Sequence, residues 1–180
     1  MKLKINSDLG EGLNNEYEIM PFIQLCNIAC GGHAGDSNSM LECIEIAIKN
    51  NVEIGAHPSY PDTLNFGRKA LDISRSELSY SILEQINSLE IIASSYGKKL
   101  NHIKAHGALY NQMINDSDLS KFYLDTIKEY KKTCYLFVPY KSEIERISLK
   151  RGFKILYEVF GDRNYNDDLT LVSRDNTDAL

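Results

Sequence analysis

All four histidines of this 180-residue chain fall in three short segments. His33 stands in CGGHAGD, His57 in GAHPSYPD, and His102 and His106 in HIKAHGALYN. Read as a strand, HIKAH puts His102, Lys104 and His106 on one face and Ile103 on the other. Two imidazoles and an ammonium aimed the same way do not make an apolar core. A lysine in such an interior must be paired with an acid or neutralised. There it could polarise an amide oxygen or hold a phosphate. Residues i and i+4 on a strand are roughly 13 Å apart, so His102 and His106 cannot bind one metal together. One of them therefore serves a site while His102 sits deeper. Gly107-Ala108 is a sparsely decorated exit where backbone could approach a ligand.

Other segments supply acids and cations. DLGEG carries Asp8 and Glu11, which read either as caps on turn amides or as a general base or metal ligand. Asn27, His33 and Asp36 surround a glycine-rich loop that could offer backbone N–H groups to an anion. No Gly-Lys-Ser/Thr follows, so it is not a P-loop. Asp36 reads equally well as a helix cap. His57-Pro58, with Tyr60, Pro61 and Asp62, could hold an imidazole rigidly at a mouth. Arg68 is either a carboxylate clamp or a surface cation. Glu158, Asp162 and Arg163 read either as a loop ion pair or as a further acid and an anion clamp.

Strands are predicted at Lys2–Ser7, Leu25–Ala29, Val52–His57, His102–His106, Cys134–Val138 and Phe153–Phe160. Helices alternate with them. Capping boxes Ser39-x-x-Glu42, Ser74-x-x-Glu77 and Ser142-x-x-Glu145 open three, and another spans about Asp118 to Lys131. The long loop from Pro58 to Ile73 suits a functional segment. Such alternation argues for parallel β/α units in one domain, residues 1–180. In a barrel the functional groups sit at the C-terminal ends of the strands. Asp8, His33, His57, His106 and Asp162 all fall there. The competing doubly wound sheet would carry a G-x-G-x-x-G turn, which is absent.

The net charge of −5 is spread without long runs, which favours neither nucleic acid nor an anionic membrane. No apolar stretch is long enough to span a bilayer, and the N-terminus lacks the h-region of a signal peptide. The four cysteines form no C-x-x-C pair, so buried thiols in a reducing cytoplasm are expected.

NSDLGEG, NIACGGHAGD, GAHPSYPD, FGR (Phe66–Arg68), HIKAHGALYN and EVFGDRNY stand in an order that resembles the family of 5-oxoprolinase A subunits, also called LamB/YcsF. The resemblance implies an α/β fold, a distorted (β/α) barrel of the glycoside hydrolase/deacetylase type. It also implies ATP-dependent cleavage of 5-oxo-L-proline to L-glutamate with B and C subunits, ATP being a co-substrate with Mg2+. Carried over by motif position are Asp8, Glu11, Asn27, His33, Asp36, His57, Lys104, His106, Asp162 and Arg163. The family usually has Lys-Pro-His where this chain has Lys104-Ala105-His106, and Phe where Gly32 stands. It also continues to a further strand ending in His-Gly-Asp. The barrel is thus expected without its last β/α unit, leaving an open seam unless another chain, including a second copy, covers it.

Chemically, Lys104 and Arg163 would stabilise negative charge on phosphate or oxyanion. Asp8 or Glu11 would deprotonate water, and His106 or His57 would protonate the leaving nitrogen. Two rivals remain open. One is a metal-dependent amide or ester hydrolase built on Asp8 with His33, His57 or His106. The other is a non-catalytic scaffold subunit.

Overall fold

A computed structural model describes residues 3–167, 169–172 and 176–179. Its strands are β1 (Asn6–Leu9), β2 (Leu25–Ala29), β3 (Glu53–His57), β4 (His102–Ile103), β5 (Tyr135–Pro139) and β6 (Lys154–Glu158). All pair parallel, and they pair in chain order, from β1 to β6. Each parallel pair needs a crossover, and helices supply most of them: α2 (Ser37–Asn50), α3 (Arg75–Ser95), α5 (Ser117–Thr126) and α6 (Glu143–Lys150). This is the barrel-type succession that strand–helix alternation predicts. Among the described residues β1 and β6 do not pair with each other.

The two faces of the sheet differ sharply. Cys26, Ile28, Ile54, Ala56, Ile103, Leu136 and Val138 point outward and are buried beneath the helices. There they meet Ile44, Ala47, Ile82, Ile86, Leu89, Tyr123 and Leu124. Each large side chain so buried stabilises by about 1.5–3 kcal/mol. The inner face is polar along its middle row. Asp8 lies opposite Asn27, Asn27 opposite Gly55, and Gly55 opposite His102, so one register row crosses four strands with hardly an apolar atom.

Local signals place the helices. Ser74 and Glu77 cap α3 reciprocally, and Ser142 caps α6, as their spacing predicts. The stripe Leu78, Ile82, Ile86, Leu89 and Ala93 is fully inside. Elsewhere the expectations shift. The cap of α2 is Asp36, reciprocated by Ser39, and not Ser39 with Glu42. The first strand starts at Asn6, since Leu3 and Ile5 are 84% and 55% exposed; Lys2 lies outside the described residues. The helix expected to reach Lys131 ends at Thr126 and tightens into a 3-10 turn, Lys128–Lys132. Two short helices were not anticipated, α1 (Glu16–Ile19) and α4 (Gly107–Gln112). Among the described residues no helix is long and apolar enough to cross a membrane.

Candidate active site

Lys104 is the electrostatic centre of the inner face. Its Nζ donates to Asp8 Oδ1 at 2.9 Å and pairs with Glu158 Oε1 at 2.8 Å, joining the C-terminal ends of β1 and β6. The lysine and Glu158 side chains are only 4% and 2% exposed, whereas Asp8 keeps 29%. Burial opposes the charge on Lys104, but Asp8 and then Glu158 outweigh it and raise its pKa. Burial likewise works against an ionised Asp8, yet His57 and Lys104 hold that carboxyl well below the usual carboxylate range. Both charges are therefore kept at neutral pH. Asn27 braces the pair from β2, donating to Asp8 Oδ1 at 2.8 Å and accepting from His102 Nε2 at 2.8 Å. His102 thus lies at the floor, where burial pushes its pKa down to about 3.

Beside this pair the other three histidines and Glu11 converge, drawn from four separate segments. Glu11 Oε1 lies 3.0 Å from His33 Nε2, 3.4 Å from His106 Nδ1 and 3.8 Å from His57 Nε2. His57 Nε2 is 2.9 Å from His106 Nδ1 and 3.3 Å from Asp8 Oδ2. His33 and His106 stack in parallel with centroids 3.6 Å apart, while His57 stands edge-on to both. Backbone carbonyls hold two of the rings from outside: Lys104 O accepts from His57 Nδ1 at 2.8 Å, and Phe66 O accepts from His106 Nε2 at 3.0 Å. Burial, then the neighbouring His57 and His33, push the His106 pKa down to about 2; burial also lowers that of His33. Gly67, at φ +62°, lets the Phe66–Arg68 loop lie flat on this stack, for a Cβ there would touch His33 and His106 at 3.0 and 3.1 Å.

A cavity of about 690 Å³ opens above these groups, a size ordinary for small-molecule sites. Asp8, Glu11, His57, Lys104 and His106 line its floor, and Arg68, Lys69 and Arg163 its rim. Arg163 also reaches the carbonyls of Val172 and Ala179. Of the residues read from sequence, eight come together: Asp8, Glu11, Asn27, His33, His57, Lys104, His106 and Arg163. Two do not. Asp36 is exposed and accepts from the amides of Asn38 and Ser39 as the helix cap, and Asp162 is exposed and outside the cavity lining. The metal set envisaged on Asp8 is instead centred on Glu11. Glu158, read from sequence as a loop ion-pair acid or a further acid at the rim, is the buried partner of Lys104. Sequence reading did not select Glu16, whose buried carboxylate accepts from Gly10 N at 3.1 Å and fixes the DLGEG turn.

A sequence model of the LamB/YcsF family matches residues 3–180. The chain belongs to the LamB/YcsF family. Among curated proteins it is 40% identical to the A subunit of 5-oxoprolinase from Pyrococcus abyssi (strain GE5 / Orsay), the match covering 100% of this chain and 72% of that one. It is 42% identical to the A subunit of 5-oxoprolinase from Thermococcus sibiricus (strain DSM 12597 / MM 739), over 97% of this chain and 70% of the other. Among solved structures, the lactam utilization protein from Thermus thermophilus superposes with a TM-score of 0.91 at 30% identity. That superposition covers 99% of this chain and 74% of the other. Gly32 stands where there is no room for a side chain. A Cβ there would meet Gln85 Oε1 at 2.3 Å and Ser59 Oγ at 2.4 Å. Gln85 of α3 occupies the space, accepting from Ser59 N at 2.9 Å and donating to Ser59 O at 3.0 Å. It thereby steadies the loop that follows His57.

Proposed function

We propose that this chain acts as the A subunit of a 5-oxoprolinase, opening 5-oxo-L-proline to L-glutamate at the expense of ATP, with B and C subunits as partners. The observation that carries the reading is the buried Asp8–Lys104–Glu158 pairing beside the Glu11–histidine cluster, in a chain whose relatives bear that name. A lactam is a poor electrophile, so its oxygen needs activation. ATP, with Mg2+, phosphorylates that oxygen and leaves as ADP. Water adds to the carbon, and the C–N bond breaks as a proton reaches the nitrogen. The remaining acyl phosphate is hydrolysed by a second water to glutamate and inorganic phosphate. Lys104, with one N–H beyond the two it spends on carboxylates, stabilises the oxyanion or phosphoryl charge. Arg68, Lys69 and Arg163 give the cavity rim a positive field for the anionic substrate. Asp8, already held by Lys104, Asn27 and His57, positions the lysine; water is activated at Glu11 and the histidines. Four buried, unpaired thiols suit a reducing cytoplasm.

The test is glutamate release from 5-oxo-L-proline by this chain with candidate B and C subunits. ATP-dependent release that disappears when this chain is omitted is the expected result. No release, where a longer relative works in the same mixture, would overturn the proposal.

A further inference from the structure

Each imidazole of the cluster has a tautomer that its surroundings dictate. Carbonyl oxygens only accept, so the proton must lie on His57 Nδ1, facing Lys104 O, and on His106 Nε2, facing Phe66 O. The remaining nitrogens, His57 Nε2 and His106 Nδ1, then present bare lone pairs to each other at 2.9 Å. Glu11 Oε1 brings a third acceptor to within 3.4 and 3.8 Å of them, and Asp8 Oδ2 a fourth, 3.3 Å from His57 Nε2. Lone-pair donors converging in a buried place repel one another unless a cation, either a proton on His57 Nε2 or a metal ion, lies among them.

We infer that Glu11 Oε1, His57 Nε2 and His106 Nδ1 form a binding site for one divalent transition-metal ion of the zinc class. Donors that share an ion at about 2.0–2.2 Å lie about 2.8–3.6 Å apart, and these three are separated by 2.9–3.8 Å. Two imidazoles and one carboxylate select a borderline metal over Mg2+ or Ca2+, which favour all-oxygen sites. The Mg2+ that accompanies ATP is therefore a different ion. Three protein ligands leave an open position, and all three residues line the cavity floor, so water or a carbonyl oxygen has access to it.

His33 does not belong to the ligand set, although its ring is equally close. A metal lies in the plane of each imidazole that binds it. The His33 and His106 rings are stacked 3.6 Å apart with planes only 3° from parallel, so one ion cannot sit in both planes. His33 instead contacts Glu11 Oε1 and positions that carboxylate from behind, as the Lys104 and Phe66 carbonyls position the two rings.

The inference stands on donor geometry and does not require the lactam reading. With an ion bound, the water in the open position would be acidified, which is the activation that ring opening calls for. The test uses the purified chain alone, without nucleotide or the B and C subunits, so its failure is distinct from failure of the oxoprolinase assay. Chelator-treated protein is titrated with Zn2+ by calorimetry, and with Co2+ by visible absorption. One equivalent bound at micromolar affinity or tighter is expected, with a d–d spectrum of low coordination number. His57→Gln, His106→Gln and Glu11→Gln should each weaken Zn2+ binding by at least about 100-fold, and His33→Gln by about 10–100-fold. Asp36→Asn, which keeps the helix cap, should not alter it, and circular dichroism should show every variant folded. Absence of binding would overturn the inference and leave a proton shared between His57 and His106 as the cation. Zn2+ binding equally tight in the folded Glu11 and His57 variants would overturn it as well.

Discussion

At the scale of single residues, Lys104 is held in the fold by two carboxylates, Asp8 and Glu158. Replacing it with Met leaves Glu158, only 2% exposed, as an uncompensated buried carboxylate next to Asp8. Lys104→Met is therefore expected to lose about 3–5 kcal/mol of stability as well as turnover. Adding Glu158→Gln removes the stranded charge and should restore about half of that loss. Urea denaturation of both variants checks this; an equal loss in single and double variants would show that packing, not charge, was responsible. HIKAH made part of this arrangement legible, because a lysine between two histidines on one strand face demands a buried acid. Which acids answered was not legible. Glu158 lies 54 positions away in sequence, and only the closing of β6 near Lys104 brings it to 2.8 Å. Asp36 went the other way: Asp at the head of a helix satisfies orphan amides, and here that local use prevailed over the site.

At the scale of elements, strand alternation allocated faces correctly wherever one face was chemically distinct. Gly55 and His57 against Val52 and Ile54 is one case, and HIKAH is another, although β4 itself spans only His102–Ile103 and not the expected His102–His106. Boundaries failed where apolar residues mislead, as with Leu3 and Ile5, which are exposed before β1 begins. Gly55 shows what the pattern could not convey. Its missing side chain makes room for the His102 ring, for a Cβ would come within 2.1 Å of Nε2. Gly55→Ala is expected to displace that ring from Asn27 and to cost about 1–3 kcal/mol in urea denaturation. His102 also sets an acid limit. Its folded pKa of about 3 lies below the unfolded value of about 6.5, so between them the unfolded chain binds the extra proton. His102 should therefore lower stability as pH drops below about 6.5, by up to about 1.4 kcal/mol per pH unit until about pH 3, with His106 and His33 adding to the same limb. His102→Gln, which keeps a donor for Asn27, should make that limb shallower by up to about 1.4 kcal/mol per pH unit and leave the share of His106 and His33. An unchanged slope would place the titration elsewhere.

At the scale of the whole molecule, the parallel succession of six strands was legible because β/α alternation admits few topologies, and the absence of a dinucleotide turn removed the main rival. That the histidines share one end of the sheet was legible from their places at strand exits; that ligand atoms of Glu11, His33, His57 and His106 come within 4.8 Å of one another was not. A sheet rolled with its polar row inward achieves this, placing the polar groups of the site where strands end and leaving the helices to cover the apolar outer face. The measurement that bears most directly on this account is the initial rate of glutamate formation by the Lys104→Met/Glu158→Gln double variant, compared with the unmodified chain. Both would be assayed with the B and C subunits and ATP, with circular dichroism confirming that each is folded. A rate lower by about 10²–10³-fold is expected if Lys104 stabilises the charge that develops on the lactam. A folded double variant within twofold of the unmodified chain would contradict that role and remove the Lys104 pairing from the chemistry.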